Sequence, residues 1–185
     1  TIAAPVGSAG GIRRIQDYGG FFDDTFVVVC GDAVIDLDLT AVVRRHWQSG
    51  AVASIVVREV PHERLSSYGV VVCDEAGRIQ SFQEKPQIEE ALSQLVNTGI
   101  YVFEPEVIDL IPQDVEFDIG SELFPLMLEK GLAFNAIEAP FNWIDIGHLS
   151  DYWQANQQIM RGKLRGVRMP GTEVRPRIWT GLNVN

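Results

Sequence analysis

The stretch Phe26-Val27-Val28-Val29-Cys30-Gly31-Asp32 carries the strongest structural signal in the chain. Its five consecutive apolar residues predict a strand buried on both faces, in the middle of a parallel or mixed sheet covered by helices. Gly31 permits a sharp turn, and Asp32 then stands at the carboxyl end of a central strand, where open α/β sheets bind ligands. A carboxylate in this place suits Mg²⁺. The alternative is a turn in which Asp32 only bonds to backbone.

The composition is that of an ordinary globular protein, and its charge narrows the choice of partners. Of 185 residues, 46% are apolar, and acidic residues exceed basic ones by 25 − 15 = 10. An acidic chain without a basic stripe argues against binding nucleic acid or an anionic membrane surface. No apolar run approaches the roughly 18 residues that span a bilayer, and no signal-peptide pattern is recognised. Cys30 and Cys73 lie in apolar patterns, which predicts buried free thiols, a reducing compartment and hence a cytoplasmic protein.

Helical and strand patterns alternate along the chain. A helix is predicted after Asp38 over residues 39–49, and a valine-rich strand follows at 51–60. Residues 70–73 and 79–83 flank a turn and predict a β-hairpin, so not every strand is parallel. Further helices are predicted at 12–18, 88–94, 105–110, 121–130 and 149–161, and further strands at 100–103 and 132–137. This alternation predicts an α/β fold with a mixed, mostly parallel sheet and flanking helices.

The chain is predicted to hold one main domain, residues 1–162, followed by a linker and appendage at 163–185. Ile178 and Val184 are six residues apart, a spacing typical of the first coil of a left-handed hexapeptide β-helix. One coil cannot bury its own apolar face, so a further domain would be needed to complete it. Tails of this type often assemble, which makes a homo-oligomer an expectation.

Two further segments are candidates for ligand binding. Pro5-Val6-Gly7-Ser8-Ala9-Gly10-Gly11 predicts a loop whose small residues let backbone amides approach a base or a phosphate; the alternative is a flexible turn. Asp145 stands in the same setting as Asp32, after an apolar segment and before a glycine and a helix. The two could share a divalent cation, or Asp145 could cap the helix that begins near Leu149. The three histidines show no metal-ligand spacing and are interpreted as incidental: His46, His62 and His148.

The motifs taken together resemble the sugar-1-phosphate nucleotidylyltransferases (sugar-nucleotide pyrophosphorylases), and within them the bacterial mannose-1-phosphate guanylyltransferase-like group. The resemblance covers about residues 5 to 161 and depends on the order of six segments, none of which is specific alone. These are Pro5-Val6-Gly7-Ser8-Ala9-Gly10, Cys30-Gly31-Asp32, Tyr68-Gly69-Val70, Glu84-Lys85-Pro86, Asn97-Thr98-Gly99-Ile100-Tyr101 and Trp143-Ile144-Asp145-Ile146-Gly147.

The resemblance implies the Rossmann-like nucleotide-diphospho-sugar transferase fold and a reaction in which an NTP and a sugar 1-phosphate give an NDP-sugar and pyrophosphate. It implies that Asp32 and Asp145 hold Mg²⁺ on the α-phosphate and that Lys85 meets the sugar phosphate, these three being the catalytic residues. Glu84, Gly69 and Asn97 would hold the sugar hydroxyls, in a cleft predicted to form beside Asp145. The other substrate-binding residues are Gly7, Ser8, Ala9 and Gly10 near the base, and Gly31 and Gly147 beside the aspartates.

The residue types fit this chemistry, because a sugar phosphate is already an anion and needs no general base. Positioning and charge neutralisation suffice. The loop Gly7-Ser8-Ala9-Gly10 favours GTP and mannose 1-phosphate, with glucose 1-phosphate as the alternative. Two competing functions are a regulatory or sugar-nucleotide-sensing subunit and a glycosyltransferase that uses Asp36-Leu37-Asp38, although this last segment is better interpreted as a helix cap.

The resemblance is incomplete at the N-terminus. The family's triphosphate-binding signature of the form G-x-G-x-R-L is absent, and Arg13 and Arg14 follow a different segment. The chain also begins at Thr1 rather than Met, so we expect a part of a longer gene product or a remnant without turnover. Loss of even one preorganised charge-stabilising group typically slows an enzyme by about 10²–10³-fold. We therefore expect the 185-residue chain alone not to catalyse nucleotidyl transfer at a useful rate.

Overall fold

The computed structural model describes residues 5–167, 171–176 and 178–181, and the chain forms two compact units. The first unit comprises Thr1–Val29 and Leu39–Ala139, and the second comprises Cys30–Asp38 and Pro140–Asn185. The domain boundary predicted after residue 162 falls within the second unit and stays a prediction.

Ten strands are present in the described part of the chain. Those of the first unit form one sheet of six strands: β1 (Phe26–Val29), β3 (Ala53–Glu59), β4 (Val70–Cys73), β5 (Ile79–Gln83), β6 (Leu95–Phe103) and β7 (Phe134–Glu138). Those of the second unit form two pairs: β2 (Ala33–Ile35) with β8 (Trp143–Asp145), and β9 (Thr172–Arg175) with β10 (Ile178–Thr180).

The six-stranded sheet is mixed, which confirms the predicted α/β class. Its order is β5-β4-β6-β3-β7, and β1 also pairs with β6. β3 and β7 are parallel, whereas β6 is antiparallel to β1, β3 and β4, and β5 is antiparallel to β4. Four strands therefore run in one direction and two in the other. Because β6 lies between strands of the opposite direction, most neighbouring pairs are antiparallel even though most strands share a direction.

The helices differ from prediction mainly at their ends. Helix α1 begins at Gly7, so the predicted glycine-rich loop is the first turn of a helix; the predicted helix at 88–94 is a single 3₁₀ turn, and that at 121–130 begins as a π-turn. The α-helices are α1 (Gly7–Gly19), α2 (Leu39–Ser49), α3 (Phe124–Glu129) and α4 (Leu149–Met160). The shorter helical segments are 3₁₀ turns at His62–Ser67, Ile88–Glu90 and Pro105–Leu110, and the π-turn at Ile119–Leu123.

Among the described residues, no helix is both long and apolar enough to cross a bilayer.

The prediction that Phe26 to Cys30 form a strand buried on both faces is wrong. β1 ends at Val29 and pairs, within the described residues, only with β6. Its side chains alternate: Phe26 packs on Phe103 with ring centroids 5.7 Å apart, whereas Val27 and Val29 are 37% and 39% exposed. An unbroken apolar run does not show how many strands pair with a strand or whether both of its faces are covered. In β1 the face that carries Val27 and Val29 is partly exposed to solvent.

Strand β6 includes the segment predicted to precede it. Asn97, Thr98 and Gly99 lie inside the strand, at an irregularity in its pairing with β3. Gly99 supplies the positive φ of 74° that this bulge requires, and the Thr98 hydroxyl donates to the Val56 carbonyl at 2.7 Å. The polar side chain of Asn97 is thereby carried on a central strand rather than on a loop.

The core of the first unit is aromatic and aliphatic, with Phe124 at its centre. The Phe124 ring contacts those of Phe82, Tyr101 and Phe134 at centroid distances of 5.1, 5.4 and 4.9 Å. Truncation of such a fully buried aromatic side chain typically costs about 3–5 kcal/mol of stability. Because α3 begins at Phe124, this packing fixes the position of the π-turn that precedes it.

Neither cysteine forms a disulfide, and neither is fully buried, contrary to the predicted burial. Cys30 is exposed, and Cys73 is half-buried. Burial, together with the charges of Asp74 and Glu138, raises the pKa of the Cys73 thiol. The apolar patterns that suggested burial belong to a strand end and to a hairpin strand, where only alternate side chains face the core.

The tail of the second unit is only partly described. β9 and β10 pair as an antiparallel ribbon. Val184, one of the two residues behind the hexapeptide interpretation, lies outside the described residues. A β-helix coil in this region stays a prediction.

Candidate functional site

Three of the predicted sugar-binding residues meet on adjacent strands of the first unit. Val70 pairs with Gln83 of β5 and with Val96 of β6, so the preceding Gly69 lies between Glu84 and Asn97. The Asn97 amide donates to the Gly69 carbonyl at 2.8 Å. These three residues are therefore neighbours within the first unit. Their predicted convergence on one cleft beside Asp145, which belongs to the second unit, stays a prediction.

The side chain of Glu84 lies against two glycines. A Cβ added at Gly69 would lie 3.2 Å from Glu84 Oε2, and one added at Gly120 would lie 2.8 Å from the same atom. Burial raises the pKa of Glu84, and the Asp118 charge adds to this, while the neighbouring Lys85 charge opposes it. The Glu84 side chain is still 39% exposed, and its carboxylate can accept hydrogen bonds from sugar hydroxyls.

Asn97 keeps part of its hydrogen-bonding capacity. Its Nδ2 donates to the Tyr101 hydroxyl at 3.0 Å, and its Oδ1 accepts from the Gly99 amide at 2.9 Å. A carboxamide offers two donors and two acceptor lone pairs, so one of each remains for a ligand. The two contacts that it makes hold the side chain in one orientation.

Lys85 combines high exposure with an unusual backbone. Its side chain is 64% exposed and its Nζ lies 3.9 Å from Glu84 Oε1. Its φ is +42°, in the left-handed region that residues other than glycine seldom adopt. Strained residues of this kind cluster at functional sites, where the surrounding structure holds them in place. The backbone therefore supports the prediction that Lys85 has a functional role.

We expect Lys85→Gly to raise the free energy of unfolding by about 1 kcal/mol, because relief of about 1–3 kcal/mol of strain exceeds the entropic cost of glycine. Urea denaturation measures the change. Lys85→Ala is the control, since alanine remains strained and should bring no gain. Equal stability of the two variants would show that the backbone at 85 is not strained.

The segment Gly7 to Gly10 is held against the 117–119 backbone of the same unit. Gly7 has a φ of +72°, and a side chain there would clash with the Phe117 backbone. The Gly10 amide donates to the Phe117 carbonyl at 2.9 Å. Ala9 and Gly10 are buried, and the Ser8 hydroxyl bonds within the protein. These contacts explain the small residues structurally, and their predicted place near the base stays a prediction.

Asp118 is the residue of this region that the sequence analysis missed. It accepts hydrogen bonds from the Ser8 hydroxyl at 2.6 Å and from the amides of Gly120 and Ser121 at 2.9 and 3.2 Å. Burial alone would raise the pKa of Asp118, but these hydrogen bonds outweigh it and hold the pKa below its usual value. The available signal was Asp118 with Glu122 four residues later, one residue more than in a capping box, and the Glu122 carboxylate does accept from the Asp118 amide at 2.6 Å.

Asp32 immediately precedes β2, and Asp145 is the last residue of β8, the strand that pairs with β2 in the second unit. Asp145 is opposite Ala33 in the β2–β8 ladder, and the Asp32 carbonyl accepts from the Ile146 amide at 3.1 Å. Helix α4 is capped by His148 and Asp151, not by Asp145, which removes one alternative for that residue. Gly31 and Gly147 flank the same two strands. The two backbone segments pair, and the sharing of a divalent cation by the two carboxylates stays a prediction.

The oxygen donors available here suit Mg²⁺. This ion is commonly bound by one or two carboxylates, with substrate phosphates and water completing its coordination. Within the described residues, no group of three or more His, Cys, Asp or Glu side chains could hold a metal ion. A site formed by Asp32 and Asp145 would therefore depend on substrate oxygens, as nucleotide-bound Mg²⁺ does.

Asp36 does not take part in a metal-binding Asp-Leu-Asp motif. Its carboxylate accepts from the amide and the side chain of Asn142, both at 2.6 Å, and from the Arg165 amide at 2.8 Å. Burial alone would raise the pKa of Asp36, but these hydrogen bonds lower it to about 2. The residue thus joins two segments of the second unit, which argues against a glycosyltransferase that uses Asp36 and Asp38.

His46 has a structural role that its sequence did not reveal. Its ring is fully buried, with Nδ1 2.8 Å from the Ser54 hydroxyl and Nε2 2.9 Å from Glu104 Oε1. His148 is the N-cap residue of α4. Both residues have structural contacts, and their lack of a role in metal binding stays a prediction.

Comparisons with known proteins match nearly the whole chain. The family model described as Nucleotidyl transferase matches residues 2–162. A UTP–glucose-1-phosphate uridylyltransferase from Synechocystis sp. is 54% identical over 183 residues, which cover 99% of this chain and 47% of that protein. Mannose-1-phosphate guanyltransferase beta-B from Xenopus laevis is 38% identical over 149 residues, which cover 80% of this chain and 40% of that protein.

The comparison with solved structures supports the fold independently. A crystal structure of a Bacillus anthracis protein in complex with a sucrose has a TM-score of 0.70, with 23% sequence identity, and the match covers 89% of this chain and 63% of that chain. At this identity the likeness concerns the fold alone. The chain spans about half the length of the curated relatives that it matches.

Proposed function

The chain belongs to the nucleotidyl transferase family, and on this premise we propose that the protein transfers a uridylyl group from UTP to glucose 1-phosphate. The observation that carries the choice of substrates is the 54% identity to a uridylyltransferase over 99% of this chain. Relatives named as guanylyltransferases share 38% over 80% of the chain, so GTP and mannose 1-phosphate, favoured by the sequence analysis, have less support.

The reaction forms one bond and breaks another at the α-phosphorus of UTP. A phosphate oxygen of glucose 1-phosphate attacks this atom, the bond to the β-phosphate oxygen breaks, and UDP-glucose and pyrophosphate result. The attacking oxygen is already anionic, so no proton has to be removed. Proteins accelerate such transfers by positioning and by neutralising charge.

We assign the chain's residues to these two tasks. The Lys85 ammonium pairs with the phosphate of glucose 1-phosphate and offsets the repulsion between the two substrates. Glu84 accepts hydrogen bonds from sugar hydroxyls, with Asn97 and the Gly69 backbone beside it on the neighbouring strands. Asp32 and Asp145 would hold a divalent cation, which when bound would neutralise charge on the substrate phosphates.

The test is pyrophosphate release by the protein expressed from its complete coding sequence. UTP with glucose 1-phosphate should give a kcat/KM at least 10-fold above that of GTP with mannose 1-phosphate, ATP with glucose 1-phosphate or dTTP with glucose 1-phosphate. The 185-residue chain is assayed in parallel to test the expectation that it is inactive alone. A preference for GTP and mannose 1-phosphate would refute the proposed substrates, and binding of UDP-glucose without any turnover would indicate a sensing subunit.

A further inference from the structure

Gly120 has no conformational reason to be glycine. Its φ is not among the positive values found at other glycines, such as Gly99 and Gly131, so any residue could adopt its backbone. A side chain at position 120 would collide with the Glu84 carboxylate, because an added Cβ would lie 2.8 Å from Glu84 Oε2. This is closer than Cβ atoms approach other atoms, so the carboxylate would have to move.

Gly69 lies against the same carboxylate oxygen. It too has no positive φ, and its added Cβ would lie 3.2 Å from Glu84 Oε2 and would also clash with the Phe82 ring. The space bounded by Gly69, Gly120 and Phe82, here called the Glu84 slot, thus accommodates one carboxylate oxygen. The other oxygen, Oε1, lies on the side of Lys85.

The Gly120 wall of the slot is held in place by side chains from elsewhere in the unit. Asp118 Oδ1 accepts from the Gly120 amide at 2.9 Å, and its Oδ2 accepts from the Ser8 hydroxyl at 2.6 Å. The Ser8 hydroxyl in turn accepts from the Ile119 amide at 2.9 Å. On the other side, Phe124 packs the following helix into the core. The backbone at Gly120 cannot shift without breaking several of these bonds.

We propose that Gly120 is a positioning residue for sugar binding: its missing side chain keeps the Glu84 carboxylate in the slot, and Ser8 with Asp118 holds the slot's wall. This inference rests on the proposed function, because it takes the sugar hydroxyls as the ligand of Glu84. A side chain at 120 would displace the carboxylate from the sugar.

The test is Gly120→Ala, compared with Gln48→Ala, a change at an exposed residue of helix α2 in the same unit. Gly120→Ala should raise the KM for glucose 1-phosphate about 10-fold, the effect of losing hydrogen bonds to a charged group, and leave the KM for UTP within about 2-fold. Gln48→Ala should leave both constants unchanged. An unchanged KM for glucose 1-phosphate in a folded Gly120→Ala protein overturns the proposal.

A double-mutant cycle shows whether the effect passes through Glu84. In a Glu84→Ala protein, adding Gly120→Ala should change the KM for glucose 1-phosphate by less than about 2-fold, because the carboxylate is already gone. A further full 10-fold loss would mean that residue 120 acts by another route. If the Gly120→Ala protein does not fold, Gly120→Ala is instead made in a Glu84→Asp protein, where the shorter side chain leaves room for the methyl group. The KM for glucose 1-phosphate is then compared with and without Gly120→Ala.

A readout independent of turnover separates this inference from the proposed function. The carboxyl ¹³C resonance of Glu84 reports its titration, and burial in the slot raises its pKa. Gly120→Ala should move this pKa towards the ordinary glutamate value as the carboxylate moves into water. If the pKa of Glu84 is the same in Gly120→Ala as in the wild type, the proposal that Gly120 keeps the carboxylate in the slot is overturned. If Glu84 of the wild type titrates as expected but the protein releases no pyrophosphate, only the proposed function is refuted.

Discussion

Lys85→Met is expected to raise the KM for the sugar 1-phosphate by about 10- to 100-fold, the effect of removing a charge-assisted hydrogen bond to a phosphate. The KM for the NTP should change by less than about 2-fold, since Lys85 is assigned to the sugar phosphate. Methionine is an unbranched side chain of similar length that lacks the charge and the donor hydrogens. Steady-state kinetics with each substrate varied separately measures the two constants.

Lys130→Met is the matched control, because Lys130 is an exposed lysine at the end of α3, and its loss should leave both constants unchanged. An equal loss for both substrates in Lys85→Met would show that the ammonium serves the triphosphate as well. Lys85→Gly should be more stable than the wild type and should also show a rise in the KM for the sugar 1-phosphate similar to that of Lys85→Met. Together these variants would show that strain at residue 85 serves substrate binding rather than folding.

Asp32→Asn and Asp145→Asn are expected to lower kcat by about 10²–10³-fold each, the typical cost of losing one preorganised charge-stabilising group. Asparagine keeps the shape of the side chain but is a weaker ligand for a hard cation. The Mg²⁺ concentration that gives half the maximal rate should rise in both variants. Titration of the rate with Mg²⁺ and binding of Mn²⁺ followed by electron paramagnetic resonance measure these effects.

Asp109→Asn, which changes an exposed carboxylate of the first unit, is the control and should behave as the wild type. If either variant kept its rate within about 3-fold and its Mn²⁺ affinity unchanged, that aspartate would not be a metal ligand. Asp36→Asn should lower stability without changing the Mg²⁺ requirement, because its carboxylate bonds to Asn142 and Arg165.

Local patterns predicted the elements whose determinants are close in sequence. The helix at Leu39–Ser49 was predicted with its observed bounds, because Asp38 precedes it as a candidate N-cap and Gly50 supplies the positive φ that ends it. The hairpin of β4 and β5 was predicted because the turn residues between the strands leave few other connections. In both cases the decisive interactions span only a few residues.

Sequence patterns gave wrong predictions where the number and position of neighbouring strands decide the structure. The apolar run at β1 indicates a strand but not that only β6 pairs with it in the described part of the chain. Nor could Asn97 be placed inside β6, since the bulge depends on Val56 of another strand. The direction of β6 likewise results from pairings with residues far apart in the chain.

For the candidate site, sequence motifs named the residue types, and the tertiary structure decided which of them act together. Glu84, Lys85 and Asn97 were recognisable because polar residues at strand ends are few and their order along the chain is distinctive. The structure places Glu84 beside Gly69 and Gly120. The hydrogen bond from Ser8 to Asp118, which supports this arrangement, joins residues 110 positions apart. No local pattern encodes such contacts, because the packing of Phe124 and its neighbours in the core sets the distance between those segments.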